Sequence, residues 1–537
     1  MNNLKKILKY IISQKPQTKV ELDDTRRKIC GQLKIKQPSN RELLSVYQKI
    51  TKKTKINKSI LTFLRKADIR TLSGIAVVTS LTKPYNCPGN CIYCPLEAKM
   101  PKSYLASEPA AARALALKFN PYTQMQRRIE MLKKNGHPTD KIEYIIKGGT
   151  WNAYPLSYQY WFILESFRAC NNSKSQKYSA DLSKLQKDLE TEQKKNEKAK
   201  HRIIGLTLET RPDHISPKTI FHMRQMGCTR IELGLQAPDD KILKLVNRGH
   251  TVQQFREAML LLRQAGFKVD LHFMPDLPST TAKHDVEMYQ ELFIDPGLKP
   301  DMVKIYPCVV IKSAPLYKWY KTGKYKPYGE KKLFEAIIKM KTLTPRYCRI
   351  SRLIRDIPDN EIQAGNRITN LREALQKAMV KRKLKCQCLR CREVGHQQNL
   401  KLKNSNLKLF TDRYETTGGT EYFLSFEDTK RQVVFAFLRL RLPDQKNLVS
   451  LANLINLKNL SFIRELHTYG QLIEVGKKDK KASQHKGWGK KLMQEAEKIS
   501  RKNKYKKIAV ISGVGVRDYY RHLGYKKQGT YMVKKLY

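Results

Sequence analysis

Acidic residues are scarce in this chain. Asp and Glu number 48 against 105 Lys and Arg, giving a formal net charge of +57 over 537 residues. Such an excess repels itself unless a polyanion neutralises it, which points to nucleic acid. Long apolar runs are missing too. No uncharged apolar stretch reaches the roughly 18 residues of a membrane-spanning helix, so no membrane partner is expected. Near the start, Leu4, Ile7, Leu8, Ile11 and Ile12 sit at helical spacing between lysines, without the unbroken apolar core of a secretory signal. Cysteine is sparse at eleven residues, and six of these fall in two tight groups. Groups that tight suit metal binding in a reducing compartment better than a disulfide framework, so the chain reads as cytoplasmic. The apolar fraction of 40% still supports folded cores, and the length calls for more than one of them.

Four regions follow from the pattern. Residues 1–70 are basic and helical, with Ser39 or Asn40 as a helix cap. Over 71–314, β-branched runs at Ile75–Leu81, Ile142–Ile146, Ile203–Leu208, Arg230–Leu235, Val269–Met274 and Val303–Val310 alternate with amphipathic helices. That rhythm predicts a parallel α/β sheet, open or curled into a partial barrel. Asn171–His201 interrupts it and is expected to be an exposed helical or mobile insertion. Residues 315–407 read as a connector, and 408–537 as a second α/β unit with its own strands and a helix at Lys490–Ile499.

Cys87, Cys91 and Cys94 form CxxxCxxC just after the first strand. Three thiolates in so short a loop suit three irons of a [4Fe–4S] cluster and leave the fourth iron open. An open iron chelates the amino and carboxylate groups of S-adenosylmethionine (SAM). Structural zinc wants four ligands, and no fourth Cys or His is close in sequence. The pattern resembles the radical SAM superfamily. In such a barrel the chemistry sits at the C-terminal ends of the strands. Gly148, Gly149 and Thr150 stand there, with backbone open to the amino acid part of SAM, as do Glu209 and Gln236. His272, Asp276 and Tyr306 close the remaining strand ends.

Cys386, Cys388 and Cys391 form the second group, which suits a structural zinc site stiffening the connector, with His396 or Cys348 as the fourth ligand. Further on, Gln484, Gly487 and Gly489 make QxxGxG before a helix. Amide groups and the positive dipole end at such a turn receive a pyrophosphate, here that of coenzyme A. Tyr519-Tyr520 followed by Gly524-Tyr525 completes an order that resembles the GNAT acetyltransferases, with Tyr520 at the place of the tyrosine nearest the CoA sulfur.

From about residue 70 onward the chain resembles the catalytic subunits of Elongator. The resemblance is carried by Asn120-Pro121-Tyr122, Gly148-Gly149-Thr150, Glu209-Thr210-Arg211-Pro212-Asp213, Asn247-Arg248-Gly249-His250, Met274-Pro275-Asp276-Leu277-Pro278, Arg464-Glu465-Leu466-His467 and Ile511-Ser512-Gly513-Val514-Gly515. It implies a partial (β/α)6 radical SAM barrel, a zinc-containing connector and a GNAT domain. It also implies formation of 5-carboxymethyluridine at the wobble position of tRNA, bound through its anticodon stem-loop. An adenosyl radical from SAM would take hydrogen from the methyl of acetyl-CoA, the carbon radical would add to C5 of uridine, and thioester hydrolysis would release CoA. For acetyl-CoA it implies Lys141, the strand residues Glu465, Leu466, His467 and Thr468, the loop Trp488, Gly489 and Lys490, and Tyr520. The short cysteine spacing and the second cysteine group look archaeal or bacterial, and further Elongator-like subunits are not implied. The competing readings are a lysine acetyltransferase with a structural iron–sulfur domain and a noncatalytic RNA-binding scaffold.

Overall fold

The computed structural model describes residues 2–50, 58–65, 71, 73–396, 407–451, 454–469 and 487–537. Helices Asn2–Ser13, Lys19–Gln32, Asn40–Ile50 and Lys58–Leu64 open the chain. They close over a small core of their own, in which Ile7, Leu8, Ile11, Leu22, Leu43, Leu44 and Tyr47 are buried. Ser39 is the cap of the third helix. Its Oγ accepts the Glu42 amide at 3.3 Å while Glu42 accepts the Ser39 amide at 2.7 Å, a reciprocal capping box.

Six parallel strands follow: β1 (Ala76–Leu81), β2 (Lys141–Lys147), β3 (Arg202–Thr210), β4 (Arg230–Gln236), β5 (Lys268–Phe273) and β6 (Met302–Ile305). The run expected to continue to Val310 stops at Ile305, because Pro307 has no amide to offer a ladder. Beyond it, β7 (Val309–Ile311) pairs instead with β9 (Ile362–Gly365) in a separate two-stranded sheet. A further strand, β8 (Arg349–Arg352), comes from the segment read as connector and joins β6 in parallel. The sheet therefore has seven strands in the order β1-β2-β3-β4-β5-β6-β8, curled with β1 and β8 as its free edges.

The segment around 171–201 carries a helix, as one of the two expectations had it, but it is not exposed throughout. Asp181 caps the helix Leu182–Asn196, and Leu185 and Leu189 are buried against helix Leu156–Asn171. Asn171 and Arg168 bind Glu192 and Asp188 across that contact, at 2.7 and 2.9 Å. Its far end reaches the C-terminal unit, where Glu197 meets Arg517 at 3.1 Å and Arg521 at 2.7 Å.

The C-terminal unit is a seven-stranded sheet of β10 (Leu407–Thr416), β11 (Gly419–Asp428), β12 (Val434–Pro443), β13 (Leu460–Thr468), β14 (Lys507–Val510), β15 (Lys526–Gln528) and β16 (Tyr531–Lys535). Helix Trp488–Lys502 packs Leu492, Met493 and Ala496 against it. β13 and β14 are its only parallel neighbours among the described residues, and they pair over Leu460–Ile463 alone. From Arg464 to Thr468, β13 runs on without that partner, so the sheet opens as a V.

This unit is docked on the N-terminal ends of the barrel strands. Gly513 and Gly515 lie so close to β3 that a Cβ on Gly513 would stand 1.9 Å from the Ile204 carbonyl oxygen. Charges seal the contact. Arg464 is fully buried and binds Asp301 at 2.6 and 2.8 Å and Glu421 at 2.9 and 3.0 Å. Glu421 is shared with Arg263 at 2.9 Å and Arg441 at 3.0 Å.

Candidate functional site

One cavity of about 1610 Å³ runs through the curled sheet, from the cysteine loop at the C-terminal strand ends to the V of the second sheet. Parallel barrels normally fill this space with branched apolar side chains. Here β2 turns Lys141, Glu143, Ile145 and Lys147 into it while Ile142, Tyr144 and Ile146 pack outward into the core. The same two-residue alternation brings in Arg230, Glu232, Gly234 and Gln236 from β4, Lys268, Asp270 and His272 from β5, and Lys304 from β6.

At its C-terminal end the cavity is lined by Cys87, Cys91 and Cys94. The Cys94 amide donates to the Cys91 carbonyl at 3.2 Å, folding the loop back on itself, and the Ile92 amide ties it to Val246 at 3.1 Å. Cys87 Sγ lies 3.7 Å from Thr150 Oγ1. Gly148 and Gly149 have φ of 139° and 88°, and a Cβ on Gly148 would stand 1.8 Å from Thr82 Oγ1, so only glycine fits there. Gln236 ends β4 with φ of 77° and its side chain borders the cavity. Glu209 accepts from Tyr104 at 2.8 Å and faces Lys147 at 3.6 Å. Burial pushes its carboxyl up, but Lys147, His272 and Lys304 together outweigh that and hold it below the usual range. Three thiolates in one loop, open to a polar cavity and backed by the buried cation Arg248, fit an anionic iron–sulfur cluster. Asp276 is buried away from this lining, in a network with Asp285, Tyr325 and Tyr328.

The middle of the lumen is a charge lattice of which sequence reading named Glu209 and His272 and missed Glu232, Lys147 and Lys304. Glu232 is fully buried and meets the ammonium groups of both Lys147 and Lys304, with His272 Nε2 at 3.2 Å. Lys147 has Glu209 as a second carboxylate, and although burial lowers its pKa, Glu209 and Glu232 raise it well above the ordinary value. Lys304 has only Asp270 at 3.9 Å besides the shared Glu232, and burial pulls it down to about 8. Glu232 is thus shared by two lysines, each with a second, more distant carboxylate, Glu209 at 3.6 Å for Lys147 and Asp270 at 3.9 Å for Lys304. The signal was there: charges at every second position inside a barrel strand face its lumen.

The other end holds the residues expected at acetyl-CoA. Lys141 is held below the usual lysine range by burial. Glu465 binds Lys268 at 3.1 Å and Arg439 at 2.9 Å, and His467 Nε2 contacts the Ser73 carbonyl at 3.1 Å. Leu466, Thr468, Gly487, Gly489, Lys490 and Tyr520 also line the cavity. Gly487 caps the helix with φ of 75°, and a Cβ on Gly489 would stand 2.8 Å from Tyr519 Oη. Trp488 points the other way, into the core beside Phe426 and Phe435, so only its backbone belongs to the loop. Gln484 lies outside the described residues.

Apart from the cavity, the sulfurs of Cys386, Cys388 and Cys391 lie within 4.8 Å of one another, the spacing of ligands to one ion. Neither expected fourth ligand joins them: His396 is turned to Glu393 at 4.0 Å, and Cys348 is buried nearby outside the group. No helix among the described residues is long and apolar enough to cross a membrane.

Comparison with known proteins agrees with this geometry. The Radical SAM superfamily matches residues 81–292, and the Radical_SAM C-terminal domain matches 300–381, which takes in β8. A tRNA uridine(34) acetyltransferase of Methanocaldococcus infernus is 44% identical over 94% of this chain and 92% of its own length. Elongator complex protein 3 of Homo sapiens is 38% identical over 89% and 87%. The solved structure of the archaeal Elp3 of Methanocaldococcus infernus, lacking residues 1–46, superposes with a TM-score of 0.74 at 42% identity, over 87% of this chain and 100% of that one.

Proposed function

The chain belongs to the family of the tRNA uridine(34) acetyltransferases and Elongator complex protein 3, and from that premise we propose that it forms 5-carboxymethyluridine at the wobble position of tRNA with acetyl-CoA as carbon donor. The observation that carries this reading is the single cavity joining the cysteine loop to the V between β13 and β14. Two sites that had to exchange a carbon-bound hydrogen would need such a connection. A lysine acetyltransferase would leave the charged lumen and the cysteine loop idle.

Cys87, Cys91 and Cys94 would hold a [4Fe–4S] cluster, which together with SAM would supply one-electron radical chemistry at this end of the cavity. Gly148 to Thr150 let the backbone approach the amino acid part of SAM, and Glu209 and Gln236 stand ready for its polar groups. At the other end, β13 from Glu465 to Thr468, past the end of its pairing with β14, suits the amide-bearing arm of acetyl-CoA, which lies between strands as an extra strand would. Amide groups of Gly487, Trp488 and Gly489 at the helix start take the pyrophosphate, and the Tyr520 hydroxyl lies by the thioester. Lys141, deprived of water, serves as a cation for the same ligand. The three sulfurs of Cys386, Cys388 and Cys391 hold zinc, and the anticodon stem-loop docks on the basic N-terminal helices Asn2–Ser13, Lys19–Gln32 and Asn40–Ile50.

The test uses acetyl-CoA deuterated at the methyl group, with reconstituted enzyme and tRNA. Deuterium is expected in 5′-deoxyadenosine, and only when tRNA is present. Protium-only 5′-deoxyadenosine from an assay that still modifies tRNA would refute the coupling of the two sites.

A further inference from the structure

Arg248 is a buried cation without a carboxylate. It is 7% exposed, and no Asp or Glu among the described residues forms an ion pair with it. Its Nη2 donates to the Gly234 carbonyl at 2.6 Å, and its Nη1 donates to Cys91 Sγ at 3.6 Å. Nε has no partner among the described residues. A guanidinium in that position is unfavourable unless another anion completes it. The surroundings hold it in place firmly. The Ile92 amide joins the cysteine loop to Val246 at 3.1 Å, and His250 Nε2 reaches the Gly234 carbonyl at 3.0 Å. Gly234 itself is needed, since a Cβ there would stand 2.6 Å from Arg248 Nη2.

We propose that Arg248 is a redox-positioning residue whose charge and hydrogen bond to the Cys91 sulfur raise the reduction potential of the cluster held by the cysteine loop. The inference rests on the cluster assignment made above. Reduction adds one negative charge to a group already anionic through its thiolates. A fixed cation one hydrogen bond from a ligand sulfur favours the reduced form, and charge and hydrogen bonding at sulfur are among the terms that set such potentials. Among the described residues Arg248 is the cation that hydrogen-bonds one of these sulfurs: Arg211 and Arg355, the other guanidinium groups beside the loop, are bound to Asp213 and Glu108, each at 2.9 Å, and Lys102 reaches the Gly89 carbonyl and Asn90 instead.

The test is an EPR-monitored potentiometric titration of the full chain, anaerobically reconstituted, without SAM or tRNA. At a fixed potential the ratio of reduced to oxidised cluster in Arg248→Gln should be at least tenfold lower than in wild type, which is a shift of about 59 mV to more negative potential for one electron. Arg248→Lys keeps the charge and should shift less. Gly234→Ala displaces the guanidinium without removing a ligand, and its midpoint should also fall; it carries the test if Arg248→Gln fails to hold iron. A wild-type midpoint in an iron-replete Arg248→Gln or Gly234→Ala protein overturns the proposal. Absence of any cluster signal in wild type overturns the cluster assignment itself and this inference with it.

Discussion

Replacing Asp301 by asparagine measures how the two sheets are held together. The Asp301 carboxylate is fully buried and accepts Arg464 at 2.6 and 2.8 Å and the Val269 amide at 3.0 Å. Arg439 and Arg263 stand at 3.7 and 4.0 Å. An amide of the same shape leaves Arg464 with Glu421 as its one counter-charge, and Glu421 already serves Arg263 and Arg441. Stripping one partner from a buried pair costs about 3–5 kcal/mol, a large part of the roughly 5–15 kcal/mol that holds a typical domain folded. Urea or thermal unfolding of the full chain at pH 7 reads the loss directly. A pH series gives the sign. Burial pushes the Asp301 carboxyl up, but Arg464 and Arg263 pull it far below the ordinary carboxylate range. A carboxyl depressed in the fold contributes stability above its unfolded pKa of about 4, and that contribution is lost as pH falls towards the folded value. Wild type should therefore lose stability from about pH 5 downward, and Asp301→Asn should fall less steeply there. A variant within about 0.5 kcal/mol of wild type at pH 7 would show that apolar contact alone holds the sheets together.

Four further outcomes are expected. Cys91→Ala should lose the visible iron–sulfur absorbance and SAM cleavage while circular dichroism shows the fold intact; full SAM cleavage would remove the loop from the chemistry. Metal analysis should find about one zinc per chain, lost in Cys388→Ser together with thermal stability. tRNA affinity should drop roughly tenfold or more between about 50 and 200 mM salt, and a flat response would mean that the positive charge serves something else. Asp276 gives the opposite pH sign to Asp301. Burial lifts its carboxyl to about 7, so its cost appears as pH rises from about 4 to 7, and Asp276→Asn should raise the unfolding temperature at pH 8 with little change at pH 4.

Much of the site was legible because its signals are local. Cys87, Cys91 and Cys94 announce themselves by spacing, and Gly148 and Gly149 by their position at a strand end. What was hidden depends on which way a strand faces. In Val269–Met274 only His272 stood out, yet Asp270 also points into the lumen while Val269, Leu271 and Phe273 fill the core. Strand β8, with sequence Arg-Ile-Ser-Arg, hardly reads as a strand at all, because its pairing comes from β6 and not from its own propensity. Asp301 and Arg464, 163 residues apart, carry no sequence sign of meeting.

The polar lumen and the buried interface follow from one requirement. If a ligand arm is to cross a barrel, the barrel cannot be filled, and the apolar layers that usually hold its strands together are lost. The charged pairs along the lumen keep the space open to water and to polar ligands, but isolated pairs of that kind contribute little net stability. Stability has to come from outside the barrel. The helices packed on its outer face and the second sheet docked across its N-terminal end supply it, with Gly513 and Gly515 allowing backbone contact and Arg464 joining the two charge sets. A sheet that merely tethered a coenzyme would not need that contact. Under the proposed function the second sheet has to deliver an arm into the lumen and so sit rigidly over its mouth, and the network around Asp301 and Glu421 holds it against the barrel.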